Sequence, residues 1–221
     1  MNNKNNQSED KRLIAARVAI GNAMKNTQIA EALARFGYDK ARLKEGEKLL
    51  KAADEQFANH KMEYGDQYAA TDALKESREQ AKTLYMEHIK LARVVLKEMP
   101  ALSEPLQLKG ARKASLSGWL KQSEVFYENA LKIKEAKDEL AKYGVDEAAL
   151  NEGKALIDQV SAALALQKEE TSEAQDATEA KDQSMDALDN WISKFRAIAR
   201  IALVGKSQHL EALGIVVPKR S

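Results

Sequence analysis

The sequence predicts an all-α fold: an internally duplicated helical bundle, each copy a short helix plus a very long helix in a tight antiparallel hairpin. Three observations carry that expectation. Residues 34–46 read ARFGYDKARLKEG and residues 141–153 read AKYGVDEAALNEG, so one helix-turn-helix pattern recurs 107 positions later. The chain then runs from Asp39 to Lys97, and from Asp146 to Val204, without a proline and with apolar or small residues in a single heptad phase. Its apolar content, 44%, is ordinary for a globular protein and supports a core without staples.

The elements follow in order. Residues 1–10, MNNKNNQSED, are polar, lack the apolar segment of a secretory signal, and read as a disordered leader. The first short helix covers about 11–36. Gly37 ends it, because glycine alone enters the left-handed conformation without a Cβ clash, and Asp39 caps the next helix through its carboxylate. The long helix that follows spans roughly 59 residues, or about 88 Å at ~1.5 Å per residue. Its grid runs through Leu43, Gly46, Leu50, Ala53 and Phe57, then Leu74, Ala81, Tyr85, Ala92 and Val95.

The linker MPALSEPLQLKGARKA, with Pro100, Pro105 and Gly110, separates the copies. A second short helix over 115–143, the turn at Gly144 and Asp146, and a second long helix over 146–204 repeat the plan. Leu213 and Ile215 in the C-terminal segment match Leu106 and Leu108 in the linker, which predicts two extended, apolar-studded straps. The copies are therefore bounded at 11–107 and 108–215, with a tail over 216–221, and are expected to pack as one elongated domain.

An alternative is two tandem three-helix bundles, formed if each long helix breaks near 60–70 and 167–177. Ser172 followed by Gln175 has the form of a capping box, and LQKEETSEAQDATEAKDQ offers only alanines between Leu166 and Met185. Against a break, TSEAQDATEAKDQ is rich in helix formers and lacks Gly, Pro and Asn.

Catalytic chemistry has no motif here. With no cysteine, disulfides, thiol nucleophiles and Cys-ligated metals are excluded. The residues three before His60, His88 and His209 are Phe57, Tyr85 and Lys206, so the Glu-x-x-His of di-iron bundles is missing and no metal site or cofactor is expected. Gly205-Lys206-Ser207 ends like a phosphate-binding loop, but Arg200 stands where the first glycine belongs, in a stretch that reads as helix. No Gly-x-Ser-x-Gly elbow occurs.

Polar residues identical in both copies are the candidate sites. Arg93 and Arg200 lie in LARVVL and IARIAL, where a guanidinium buried on several sides needs a partner, and Glu45 and Glu152, each beside a glycine, are the natural carboxylates. In the long-helix fold Glu45 should meet Arg200 and Glu152 should meet Arg93; in separate bundles the pairs are Glu45–Arg93 and Glu152–Arg200. Asn22 and Asn129 sit mid-helix at equivalent positions, where a buried Asn fixes register or contacts a polar ligand. Trp119 and Trp191, without identical counterparts, are expected at helix ends.

Thirty-five basic against 34 acidic residues leave a net charge of +1, so nothing in the overall field steers nucleic acid or anionic membrane to the chain. The longest apolar stretch, 197–204, is interrupted by Arg200 and is too short for a transmembrane segment. The reading that follows is a soluble, cytoplasmic, non-enzymatic scaffold or interaction module, whose heptads leave room for a homodimer or another protein partner. A membrane-active helical protein and a small-ligand binder in a bundle cavity are the alternatives. The FGYDKARLKEG turn and the C-terminal RAIARIALVGKSQHLEALGIVV resemble those of uncharacterised bacterial proteins, a family of internally duplicated all-helical chains with no assigned activity. That resemblance implies a helical fold and a bacterial source.

Overall fold

The computed structural model describes residues 3–216, with side chains from Glu9 on, and every regular element among them is helical. Helices α1 (Asn3–Lys25) and α2 (Thr27–Ala34) precede the long α3 (Lys40–Val95). A short α4 (Pro100–Ser103) lies in the linker, and α5 (Leu116–Lys132), α6 (Lys134–Ala141), the long α7 (Glu147–Ala202) and α8 (Ser207–Ala212) repeat the order.

Local chemistry sets the turns. Gly37 and Gly144 have φ of 82° and 88°, and around them the Tyr38 amide donates to the Leu33 carbonyl and the Val145 amide to that of Leu140. This is the Schellman arrangement, sealed by its apolar contact, since Leu33, Tyr38, Leu140 and Val145 are all buried. Asp39 and Asp146 then cap α3 and α7, each Oδ1 accepting from the amide three residues on, at 2.9 Å.

Both long helices run 56 residues without interruption, so the break near 60–70 and 167–177 does not occur. In their Thr-containing middle the hydroxyls bond back to carbonyls of the preceding turn, and the helix formers around them carry the helix through. Thr71 donates to the Gln67 carbonyl, Thr171 to that of Gln167 and Thr178 to that of Ala174, each within 2.8 Å.

Elsewhere the expectation is corrected. Each short helix is two helices, broken at Asn26 and at Ile133, which stand at equivalent positions with extended backbone (ψ of 109° and 100°). The leader expected over residues 1–10 belongs to α1 from Asn3 onward, and Glu9 is buried. The straps bury Leu106, Leu108, Leu213 and Ile215 as expected, but α4 and α8 make them partly helical. Of the tail over 216–221 only Val216 is among the described residues.

The helices condense into two compact units that cross the sequence copies. One takes the chain up to residue 64 together with the chain from 173 onward, and the other is formed by 65–172. The first packs Ile20, Ile29 and Leu33 with Leu43, Leu50 and Phe57 of α3 and with Leu188, Ile192 and Phe195 of α7. Tyr38 meets Phe195, Gly46 meets Trp191, and Phe57 shares the core with Met185, so α3 ascends as α7 descends. The second gathers Tyr85, Ile89 and Leu96 with Phe126, Tyr127 and Leu140 and with Leu150, Ile157 and Val160. Nearly every grid position of α3, and of α7 at the places 107 residues later, is buried in one of these cores; Leu74 and Val95 of α3, and Leu164 and Ala202 of α7, are partly covered at their edges.

Candidate functional site

The two asparagines share one task. Asn22 Nδ2 donates to the Ala212 carbonyl at 2.6 Å and Asn129 Nδ2 donates to the Pro105 carbonyl at 2.7 Å, and residues 105 and 212 are themselves equivalent. A carbonyl in an irregular strap lacks a ladder partner, and the amide supplies one. Each asparagine therefore pins its strap to the short helix, one turn before the break at Asn26 or Ile133.

Arg93 serves the same strap and not a carboxylate. Its Nε donates to the Leu108 carbonyl and its Nη2 to that of Gly110, both at 2.6 Å. The expected pair with Glu152 is thus replaced by carbonyls that the proline- and glycine-containing linker leaves without partners. Arg112 reinforces them, with Nη2 donating to the Gln107 carbonyl at 2.7 Å and Nη1 to the Tyr85 hydroxyl at 3.0 Å. Arg200 is exposed and has no partner among the described residues, and the residue equivalent to Gly110 lies beyond them. Glu45 faces Arg42 at 3.6 Å in an exposed contact, and Glu152 makes no ion pair among the described residues. The four residues expected to form ion pairs are consequently not brought together.

Glycines 46 and 153 do admit close approach, but to aromatic rings. A Cβ on Gly46 would come within 2.7 Å of the Trp191 indole carbons, and one on Gly153 would overlap the Tyr127 ring. Trp191 lies well inside α7, stacked on Phe195 at 5.3 Å, so its expected place at a helix end is corrected. Equivalent notches are filled from different helices: α7 supplies the ring in the first unit and α5 in the second.

Two buried polar pairs had no repeated-residue signal. In the first unit Lys181 Nζ contacts both carboxylate oxygens of Glu9 at 3.0 and 3.1 Å, with side-chain exposures of 9% and 12%, and Asp182 at 3.1 Å. Burial works against the ammonium, but hydrogen bonds and charge from Glu9 and Asp182 outweigh it and hold its pKa above the usual lysine value. The equivalent positions in the second unit are Leu116 and Leu74, which pack on the apolar core. There the polar pair is His88 and Tyr127, with Nδ1 and the hydroxyl 3.2 Å apart and both side chains buried. Burial lowers the His88 pKa and raises that of the Tyr127 hydroxyl, so both are held neutral. In the first unit the equivalents are Phe195 and Ile20.

Large apolar side chains also stay exposed at matching places. Phe36 and Tyr143, in the last turns before the Schellman glycines, are equivalent and both exposed; so are Val94 and Ile201, near the ends of the long helices, at 75% and 57%. Tyr38 packs on Phe195, which sets the turn between α2 and α3 beside the C-terminal part of α7. Among the described residues no helix is long and apolar enough to cross a membrane. Comparison with family models, with curated proteins and with solved structures finds no match to the chain.

Proposed function

We propose that the chain is a non-enzymatic helical scaffold that docks a protein partner through a surface present twice. The observation that carries this reading is the pair of matched exposures: the first unit presents Phe36 and Ile201, and the second presents Tyr143 and Val94. An isolated exposed apolar residue needs no explanation. Exposure of large apolar residues at the same two positions of both copies is different, because it recurs as a pattern and not as a scattered single side chain. Five of the polar residues that the copies share support the same reading: Asn22, Asn129, Asp39, Asp146 and Arg93 are occupied with backbone groups.

Site-specific photocrosslinking tests it. A benzophenone side chain at position 36 or 143, introduced in cells of the chain's own source, should capture a discrete protein, a second copy included, while the same group at exposed Lys44 should not. Absence of a discrete crosslinked species at both 36 and 143, with the fold intact by circular dichroism, overturns the proposal.

A further inference from the structure

In the first unit α1 and α7 leave a groove of about 380 Å³ lined by Lys11, Arg12, Ala15, Asp189, Ile192 and Arg196. Three cations face one carboxylate there. Arg12 Nη1 is paired with Asp189 at 2.8 Å, whereas Lys11 and Arg196 have no ion-pair partner among the described residues. Arg196 Nε is moreover shut off from solvent without a hydrogen-bond partner in the protein. Its Nη donors make no hydrogen bond among the described residues and are left for an anion in the groove.

The second unit shows what occupies the same place when it is closed. The residues equivalent to Lys11, Arg12, Ala15, Asp189, Ile192 and Arg196 are Gly118, Trp119, Gln122, Lys82, Tyr85 and Ile89. The Trp119 indole is buried there, edge-on to Tyr85 with ring centroids 6.0 Å apart. Where one unit carries its own aromatic plug over an apolar floor, the other has an open groove, an apolar floor of Ala15 and Ile192, and two added arginines.

We infer that this groove binds a small aromatic phosphate monoester. Its ring lies against Ala15 and Ile192, as the Trp119 ring lies on Tyr85, and its phosphate oxygens accept from Arg196, Lys11 and Arg12. Two uncompensated positive charges match the nearly two negative charges of a phosphate monoester above its second pKa of about 6. The planar donor fork of arginine fits phosphate oxygens in pairs. The groove's size lies within the range of small-molecule sites.

The test is calorimetric titration of the full chain at pH 8 and low ionic strength with phenyl phosphate, inorganic phosphate and phenol. Phenyl phosphate should bind saturably at one site per chain and more tightly than inorganic phosphate, and phenol should give no saturable signal. Arg196→Gln should weaken phenyl phosphate at least about tenfold. The double variant Arg12→Trp, Arg196→Ile writes the second unit's residues into the first and should abolish binding with the urea midpoint at or above the parent's. Unsaturable heats with phenyl phosphate, equal affinity for inorganic phosphate, or undiminished binding by a folded double variant overturns the inference. Should the double variant fail to fold, unchanged binding by Arg196→Gln overturns it alone.

Discussion

Glu9 and Lys181 offer the sharpest test of how the chain is put together, because they are 172 positions apart, nearly buried, and leucine at both equivalent places in the second unit. Lys181→Leu strands the Glu9 carboxylate, and removing one member of a buried pair costs about 3–5 kcal/mol. Glu9→Leu should cost less, about 1–3 kcal/mol, because Asp182 still holds the ammonium at 3.1 Å. The double substitution copies Leu116 and Leu74, and a buried pair exchanged for well-packed apolar residues is often neutral or stabilising. It should therefore unfold within about 1 kcal/mol of the parent. The assay is urea denaturation followed by circular dichroism at pH 7, read as midpoint and slope for the four proteins of the cycle. A double variant as unstable as the two single effects added, within about 0.5 kcal/mol, would refute the pairing. Linkage gives an independent sign: a lysine pKa raised on folding contributes stability that is complete below 10.5 and is lost as pH rises through the folded value.

Four further outcomes are expected. Gly46→Ala and Gly153→Ala should each destabilise by about 1–3 kcal/mol in urea melts, because the added Cβ meets a rigid ring and not a flexible chain end. Gln107, at φ of 50°, occupies the position of Gly214, at φ of 68°, so Gln107→Gly should stabilise by about 1 kcal/mol or less and Gly214→Gln should destabilise. Burial lowers the His88 pKa, so its contribution is full above 6.5 and lost as pH falls through the folded value; His88→Phe, the residue at Phe195, should flatten stability against pH on the acid side, as read by thermal melts. Asn22→Ala and Asn129→Ala should each cost about 1 kcal/mol in thermal melts, additively, since each releases a different strap.

What could be read from the sequence was what is decided within a few residues. Gly37-x-Asp39 and Gly144-x-Asp146 specify a Schellman end and a cap by chemistry that no distant contact needs to supply, and the heptad grid fixes which faces of α3 and α7 are buried. Asn26 carries the capping signal of a break, its Oδ1 accepting from the Ile29 amide, whereas Ile133 is helix-compatible and carries none; what the two breaks share is the neighbouring strap, a tertiary feature. Arg93 visibly needs a partner, but carbonyls of an irregular segment carry no side-chain signature, so the sequence points to a carboxylate in their stead. Glu9 is not legible because MNNKNNQSED is polar in composition, and composition is silent about a lysine far along the chain.

The differences between the copies explain why the units cross them. Had each long helix broken and folded back on its own copy, Glu9 would face Leu74 and Lys181 would face Leu116, leaving two buried charges without partners. Gly153 would receive both Tyr127 and Trp191 while Gly46 received only Ile20 and Leu84, overfilling one notch and emptying the other. In the crossed arrangement each notch takes one aromatic ring and the charges meet at 3.0 Å. Shared residues such as the Gly-x-Asp turns, the pinning asparagines and the heptad grid are satisfied equally in either arrangement, so they cannot choose between them. The choice rests on the residues in which the copies disagree, and it acts mainly by making the wrong pairing costly. Glu9 and Lys181 are thus expected to add specificity more than stability, which is why the double leucine variant is the substitution that removes the distinction while leaving a packed core.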